Sequence, residues 1–201
     1  MLYRKKIKRI FDFSVALIAF PFMLIIMAIV APIIKINDNG PVFYNAKRRG
    51  LHGKPFVMYK FRSMYVNSPD IRNSDGSTYN SSNDIRVTPV GNFLRKTSLD
   101  EIPQILNVLK GDMSFVGPRP TLAQIPFNQI PEDDRIRYQV RPGITGYAQA
   151  FYRNSISQAE KYEYDNYYVE NLSFWLDIKI LLKTFLSVAK RENIYVENSK
   201  K

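Results

Sequence analysis

From Val15 to Ile34 the chain carries no charged residue and is almost wholly apolar, and basic residues crowd both flanks. Arg4, Lys5, Lys6, Lys8 and Arg9 precede the run, while Lys35, Lys47, Arg48 and Arg49 follow it. The length is roughly the 20 residues that cross a hydrocarbon core. A helix with no polar face suits lipid better than the interior of a water-soluble domain. Positive flanks stay on the cytoplasmic side, so this charge pattern draws both ends to one face of the membrane. Pro21 strips a backbone hydrogen bond about a third of the way along. The pattern therefore predicts a helix broken near Pro21 that enters one leaflet and returns, with a single-pass anchor as the simpler alternative. No small-x-small cleavage site marks the run as a removable signal.

Beyond the membrane element the periodicity changes. Val42-Phe-Tyr44 and Phe56-Val-Met-Tyr-Lys-Phe61 predict two strands around Gly50-Leu-His-Gly53. Residues 67–84 are rich in Ser, Asn and Asp with little apolar period, which predicts a mobile surface loop able to close over a substrate. A helix is predicted from Ser98 to Leu109, with Ile102, Ile105, Leu106 and Leu109 on one face and Gly111 as its stop. Ser157 to Glu170 reads as helical. From Leu172 to Lys190 an amphipathic pattern repeats Phe174, Trp175, Ile178, Leu181, Leu182 and Phe185 at helical spacing. Such a helix lies on a bilayer surface or packs on the domain core. The expected fold is α/β, mainly helical with a small β-hairpin. It divides into a basic flank and re-entrant membrane helix (1–40), a compact cytosolic domain bearing surface amphipathic helices (41–191) and a polar tail (192–201).

Composition narrows the chemistry. The 201 residues carry 29 Lys+Arg against 18 Asp+Glu, a formal charge of +11. That balance fits an anionic bilayer, phosphorylated substrates or nucleic acid. No zinc-finger spacing or RNP-like motif accompanies it, so nucleic acid is not an expected partner. There is no cysteine and only one histidine, His52. Disulfides and thiolate metal sites are excluded, and a histidine-based metal site or Ser-His-Asp triad has little to draw on.

The richest stretch runs Arg95-Lys-Thr-Ser-Leu-Asp100-Glu101-Ile-Pro-Gln and continues through Asn107-Val-Leu-Lys-Gly-Asp112-Met-Ser-Phe-Val-Gly-Pro-Arg119-Pro120. Adjacent carboxylates at a helix start are followed by a Pro/Gly-locked loop carrying an arginine. A carboxylate is a nucleophile or metal ligand, and an arginine fork matches phosphate oxygens bidentately. If Ser98 caps the helix, Asp100 lies in its first turn, where the positive macrodipole end attracts phosphate. Ser98-x-x-Glu101 reads equally as a capping box, which would leave Asp100 a surface residue.

These residues resemble the catalytic core of the bacterial sugar transferase family, the monotopic phosphoglycosyl transferases. Tyr59-Lys-Phe-Arg-Ser-Met64, Val140-Arg-Pro-Gly-Ile-Thr-Gly146, and Tyr164-Asp165-x-x-Tyr168 with Asn171-x-Ser173 extend the likeness over nearly the whole chain. The resemblance implies transfer of a sugar 1-phosphate from a UDP-sugar to a polyprenol phosphate, with undecaprenyl phosphate expected. UMP leaves, and an aspartyl phospho-sugar remains on the enzyme. It implies Asp100 as nucleophile, Glu101 as its partner carboxylate, and Mg2+ held by Asp100 and Glu101. It also implies a membrane helix broken at a proline, a place on the cytoplasmic face of the bacterial inner membrane, and a role initiating capsule, exopolysaccharide, O-antigen or glycoprotein assembly beside downstream glycosyltransferases. Membrane lipids are further expected partners.

Arg95, Arg119 and Arg141 stand beside rigid turns within matching motifs and are expected phosphate partners. Lys60 and Arg62, at alternating strand positions, would face one way and add phosphate or lipid-headgroup contacts. Asp165 is carried as a further substrate contact, although aromatic helix packing explains its neighbourhood as well. Asp112 either binds metal or caps its loop. The chain departs from the family pattern at Ala46-Lys-Arg48-Arg-Gly50, which lacks a glutamine. It departs again at Tyr147-Ala-Gln149-Ala-Phe-Tyr152, whose aromatics are expected to reshape a sugar or nucleotide pocket. The rival reading is a non-catalytic basic protein that binds anionic lipid at the membrane surface.

Overall fold

The structure is a computed structural model and describes residues 2–73, 79, 81 and 83–190. After an opening π-helical turn at Tyr3–Ile7 comes one long helix, α1 (Lys8–Asp38). At 1.5 Å per residue it is about 46 Å long. Pro21 and Pro32 lie inside it, and helical structure continues past both. The break expected at Pro21 is thus not an interruption of the helix; a proline removes one hydrogen bond, and the surrounding turns persist.

Burial divides α1 lengthwise. Lys8, Asp12, Ala16, Met23, Val30 and Ile34 are buried, a row at helical spacing. Ile10, Leu17, Ile18, Phe22, Ile25, Ile29 and Ile33 on the other side are exposed. The buried row enters two core clusters. Ala16 and Met23 pack with Ala46, Met58, Ile105, Val108 and Met113, while Val30 and Ile34 pack with Phe61 and Leu94. Polar contacts pin both ends to the same globular body. Lys8 pairs with Asp177 at 2.6 Å, and Asp38 pairs with Arg62.

The predicted hairpin forms from β1 (Phe43–Arg49) and β2 (Pro55–Phe61), with Tyr44 opposite Lys60 and Arg48 opposite Phe56. Its first strand is longer than the apolar run Val42–Tyr44 implied, because β2 on one side supplies hydrogen bonds regardless of polarity. Helix α2 (Pro89–Thr97) follows. Thr88 caps it by accepting from the Gly91 amide at 2.8 Å, and Pro89 stands at the first turn.

Here the expected Ser98–Leu109 helix is corrected. Ser98 has a left-handed backbone (φ 57°) and ends α2 instead of starting a helix, so no Ser98 capping box forms. A 3-10 turn, Leu99–Gln104, carries Asp100 and Glu101, and only then does α3 (Ile105–Lys110) begin. Gly111 stops α3 at φ 90°, as its sequence predicts.

Next come β3 (Ser114–Val116), β4 (Thr121–Leu122), α4 (Glu132–Arg135), β5 (Gly143–Thr145) and α5 (Tyr147–Phe151). Strand β4 adds to β1, giving the order β2-β1-β4, and β3 pairs in parallel with β5. The β structure therefore exceeds the single hairpin anticipated. Gly117 and Gly143 let the β3 and β5 ends approach closely: an added Cβ would lie 2.4 Å from the Arg141 carbonyl oxygen or 2.1 Å from the Gly117 nitrogen. Helix α6 (Gln158–Glu170) starts with a true capping box, Ser157 and Glu160. The last described element, α7 (Phe174–Lys190), shares a core cluster with α6 through Tyr168, Val169 and Ile180. Trp175, Leu182, Phe185 and Leu186 remain exposed on it. The predicted polar tail (192–201) and some of the predicted 67–84 loop lie outside the described residues.

Candidate active site

Asp100 and Glu101, on the 3-10 turn, meet the last residues of strand β2. Asp100 is only 4% exposed. The Lys60 ammonium lies 2.9 Å from Asp100 Oδ2 and 3.2 Å from Glu101 Oε1, so one cation serves both carboxylates. Arg119 Nη1 approaches Glu101 Oε1 at 3.9 Å from the exposed rim. Burial pushes the Glu101 carboxyl up, but Lys60, Arg119 and Arg153 outweigh it and hold it below the usual carboxylate range. Burial likewise disfavours the Lys60 ammonium, yet Asp100 and Glu101 raise its pKa on balance. The result is an adjacent, ion-paired carboxylate dyad ringed by cations.

Neighbouring side chains hold this cluster in place. Asn107, fully buried on α3, accepts from the Tyr59 amide at 2.9 Å and donates to the Val57 carbonyl at 2.7 Å. Its amide thus mimics a neighbouring strand on the free edge of β2, one residue from Lys60. On the other side, Arg137 Nη2 pairs with Asp165 at 2.5 Å and donates to the Arg119 carbonyl at 2.7 Å. The Arg137 guanidinium also lies 4.1 Å from the Tyr162 ring centre. Asp165 therefore acts on the Pro118-Arg119-Pro120 turn through Arg137. Burial pushes its carboxyl up to about 6, against the pull of Arg137.

The family model for bacterial sugar transferases matches residues 3–191. The chain belongs to the bacterial sugar transferase family. It is 43% identical to the sugar transferase EpsL of Bacillus subtilis over 96% of this chain and 92% of that protein. It is 39% identical to an undecaprenyl-phosphate galactose phosphotransferase of Salmonella typhimurium, covering 94% of this chain and 42% of the relative. With a UDP-glucose:undecaprenyl-phosphate glucose-1-phosphate transferase of Escherichia coli the identity is 41%, over 92% of this chain and 40% of the other. The chain thus spans nearly all of the first relative and about two-fifths of the other two.

In this transferase the remaining expected residues go to different places. Arg62 lies just past the end of β2, not within the strand, and is bound by Asp38 and by the Pro41 and Met64 carbonyls. In this arrangement it latches the end of α1 to the sheet. Arg141 donates to the Gly111 carbonyl at 2.7 Å. With Arg4, Lys8 and Arg9 it lines a cavity of about 360 Å³ that does not include the dyad, so the structure does not bring it to Asp100 and Glu101. Arg95 donates to Ser63 Oγ at 2.9 Å. Asp112 accepts from Asn107 Nδ2 at 3.2 Å, which favours its loop-capping role. Tyr168 is wholly buried and donates to Asp177, which makes it core. Tyr147, Phe151, Tyr152 and Tyr164 stack in one cluster with centroid distances of 4.4 to 5.7 Å.

Sequence reasoning missed Arg153, Arg137 and Asn107, whose roles depend on contacts remote in sequence. Arg153 did carry a structural signal, since a non-glycine residue at φ 50° marks a specially shaped backbone. No group of three or more metal-ligating side chains occurs among the described residues. Two adjacent carboxylates do fit Mg2+, which takes hard oxygen donors and commonly completes its shell with phosphate oxygens and water.

Proposed function

We propose that this transferase moves a sugar 1-phosphate from a UDP-sugar to undecaprenyl phosphate with release of UMP, through a covalent aspartyl intermediate. The observation that carries the reading is the Asp100-Glu101 dyad, its aspartate buried, shared by one lysine and flanked by arginines. Three cations, Lys60, Arg119 and Arg153, face two carboxylates, leaving positive charge for a diphosphate. The names of the relatives point to the same substrates.

In the first half-reaction an Asp100 oxygen attacks the sugar-linked phosphorus. The bond from that phosphorus to the bridging oxygen breaks, and its electron pair leaves on UMP. In the second, an oxygen of undecaprenyl phosphate attacks the same phosphorus and frees Asp100. Dividing the transfer means the water-soluble donor and the lipid acceptor need not occupy the site together. Lys60 holds Asp100 against the strand and remains charged beside the phosphoryl oxygens. Asp100 and Glu101 would hold Mg2+, which neutralises charge on diphosphate oxygens when bound.

Helix α1 is the membrane element in this reading. Both of its ends attach to one globular body, both flanks are basic, and its outer face is bare hydrocarbon. A bend at its prolines, with the helix itself continuous, would let it dip into one leaflet and keep both ends on one side, with the dyad on the cytoplasmic face of the bacterial inner membrane. The product would start a capsule, exopolysaccharide, O-antigen or glycoprotein glycan. Cysteines introduced at Leu2 and Asn39 should both react with an impermeant thiol reagent from the cytoplasmic side; opposite-side labelling would end the re-entrant proposal.

The test of the reaction is UMP release by detergent-purified protein over a panel of UDP-sugars with Mg2+, with and without undecaprenyl phosphate. Release that turns over only with the lipid, and a sugar-phosphate adduct on Asp100 without it, are expected. No release from any donor would overturn the reading.

A further inference from the structure

Arg48 is a half-buried guanidinium that makes no hydrogen bond and no ion pair among the described residues, and its Nε is sealed from solvent. Arg49 and Arg137 also carry one buried nitrogen without a partner, Nε and Nη1, but their other nitrogens are engaged. Arg49 points to the opposite face of β1 and binds the Gly53 and Ile125 carbonyls. Arg137 is bound to Asp165. Asp70, whose charge acts on Arg48, is already paired with Arg72 at 2.8 Å. A guanidinium carries five N–H donors and cannot shed its charge, so burying Nε without an acceptor is costly, and the outer nitrogens remain open to an anion.

The fold aims Arg48 at the site. Residues opposite each other across a hairpin share a face, so Tyr44 and Lys60, Ala46 and Met58, and Arg48 and Phe56 all project to one side. Arg48 therefore emerges on the Lys60 face, about 13 Å further along the strand backbone. Pairing of Arg48 with Leu122 on β4 draws in the Pro118-Arg119-Pro120 turn, which immediately precedes that strand. Arg119 lies between the two positions, reaching toward Glu101 while repelling Arg48. Burial and that repulsion together push the Arg48 pKa down.

Two guanidiniums that repel one another, one of them unpartnered, form a cationic pair suited to an anion. We propose that Arg48 and Arg119 together seat the nucleotide-side phosphate of the donor, making Arg48 a substrate-binding residue that receives the charge on departing UMP. The assignment rests on the donor reading above. It divides the site in two. The dyad and Lys60 address the sugar-linked phosphorus, where the new bond to Asp100 forms. The arginine pair addresses the phosphate to which the electron pair of the broken bond goes, so UMP departs as an anion with no proton needed. Arginine forks suit that phosphate better than a lysine would, because they bind two oxygens at once.

The experiment compares wild type, Arg48→Met and Arg48→Lys as full-length protein in detergent. It measures UMP affinity by calorimetry, the thermal midpoint without ligand, and UMP release from the preferred UDP-sugar. Arg48→Met is expected to weaken UMP binding at least tenfold and raise KM for the donor, with Arg48→Lys recovering only a fraction of the loss. Its ligand-free midpoint should equal or exceed that of wild type, since an unpaired buried cation has been removed. Unchanged UMP affinity, in a protein whose wild type binds UMP and turns over, would overturn the role of Arg48 and leave the donor reading standing. A midpoint lowered by several degrees would make Arg48 structural and overturn the proposal as well. Wild type that neither binds UMP nor turns over any UDP-sugar would bring down both together.

Discussion

Among the described residues, two lysine–aspartate pairs with buried carboxylates are used in opposite ways. Lys8 lies 2.6 Å from Asp177, whose two oxygens also take hydrogen bonds from Tyr3 at 2.6 Å and Tyr168 at 2.7 Å. Both carboxylate oxygens are engaged, and the partners come from the N-terminal turn, α1, α6 and α7. Lys60 is instead divided between Asp100 and Glu101, with further cations arriving from the rim. The first arrangement is saturated and ties elements together. The second holds charge that a phosphate or a metal ion can redistribute without dismantling the fold. Burial and ion pairing alone do not mark a reactive site; unfinished coordination does.

The sharpest way to break that contrast is Asp100→Asn. UMP release should fall at least roughly 10³-fold, in line with removal of a covalent nucleophile, while the thermal midpoint stays near wild type. Retained turnover would remove Asp100 from the chemistry. Asp177→Ala should do the reverse. It strands the Lys8 ammonium in a buried site and should cost about 3–5 kcal/mol of stability, read by denaturant titration in detergent. A stable Asp177→Ala protein with a specific catalytic defect would erase the distinction between the two pairs. Asn107→Ala lies between these extremes. Loss of its strand-mimicking amide should cost about 1–3 kcal/mol and loosen Lys60, lowering kcat more than it raises KM.

The most gradual effect is a pH dependence. Folding raises the Asp165 carboxyl from its ordinary 3.8 to about 6, so between those values the folded chain holds more protons than the unfolded one. That contribution to stability is present below about pH 3.8 and is lost as pH rises through 6, with a slope of at most about 1.4 kcal/mol per pH unit. Thermal midpoints measured from about pH 4 to 7 should show a steeper decline in wild type than in Asp165→Asn. Parallel curves would mean that Asp165 stays ionised throughout.

Legibility followed the range of the interactions involved. The apolar run, the hairpin around Gly50–Gly53, the Gly111 stop and the Ser157–Glu160 cap are local, and local physics decides them. Ser98-x-x-Glu101 shows the limit. The same pattern makes a capping box at Ser157, where the backbone is extended, and fails at Ser98, where α2 runs directly into a left-handed residue. Thr88-Pro89 was the readable sign of that earlier helix. Asp100, Glu101, Lys60 and Arg119 come together as their motifs implied. Arg62 does not, because its counter-charge Asp38 is supplied 24 residues away. Nothing nearby in sequence distinguishes Arg62, which is bound, from Arg48, which is not. Asp38 at the end of α1 separates them, together with the packing of β4 and the arginine-bearing turn beside Arg48.

An apolar N-terminal helix such as α1 is the natural segment to delete in search of a convenient water-soluble fragment. Here its inner row supplies Ala16, Met23, Val30 and Ile34 to the clusters that support the hairpin and α3. Removing it would strip a wall from those clusters and release Arg62 from Asp38, so what remained would be a collapsing chain and not a smaller catalyst. Anchor and scaffold are one object in this protein, and any effort to study its chemistry has to bring the greasy helix along.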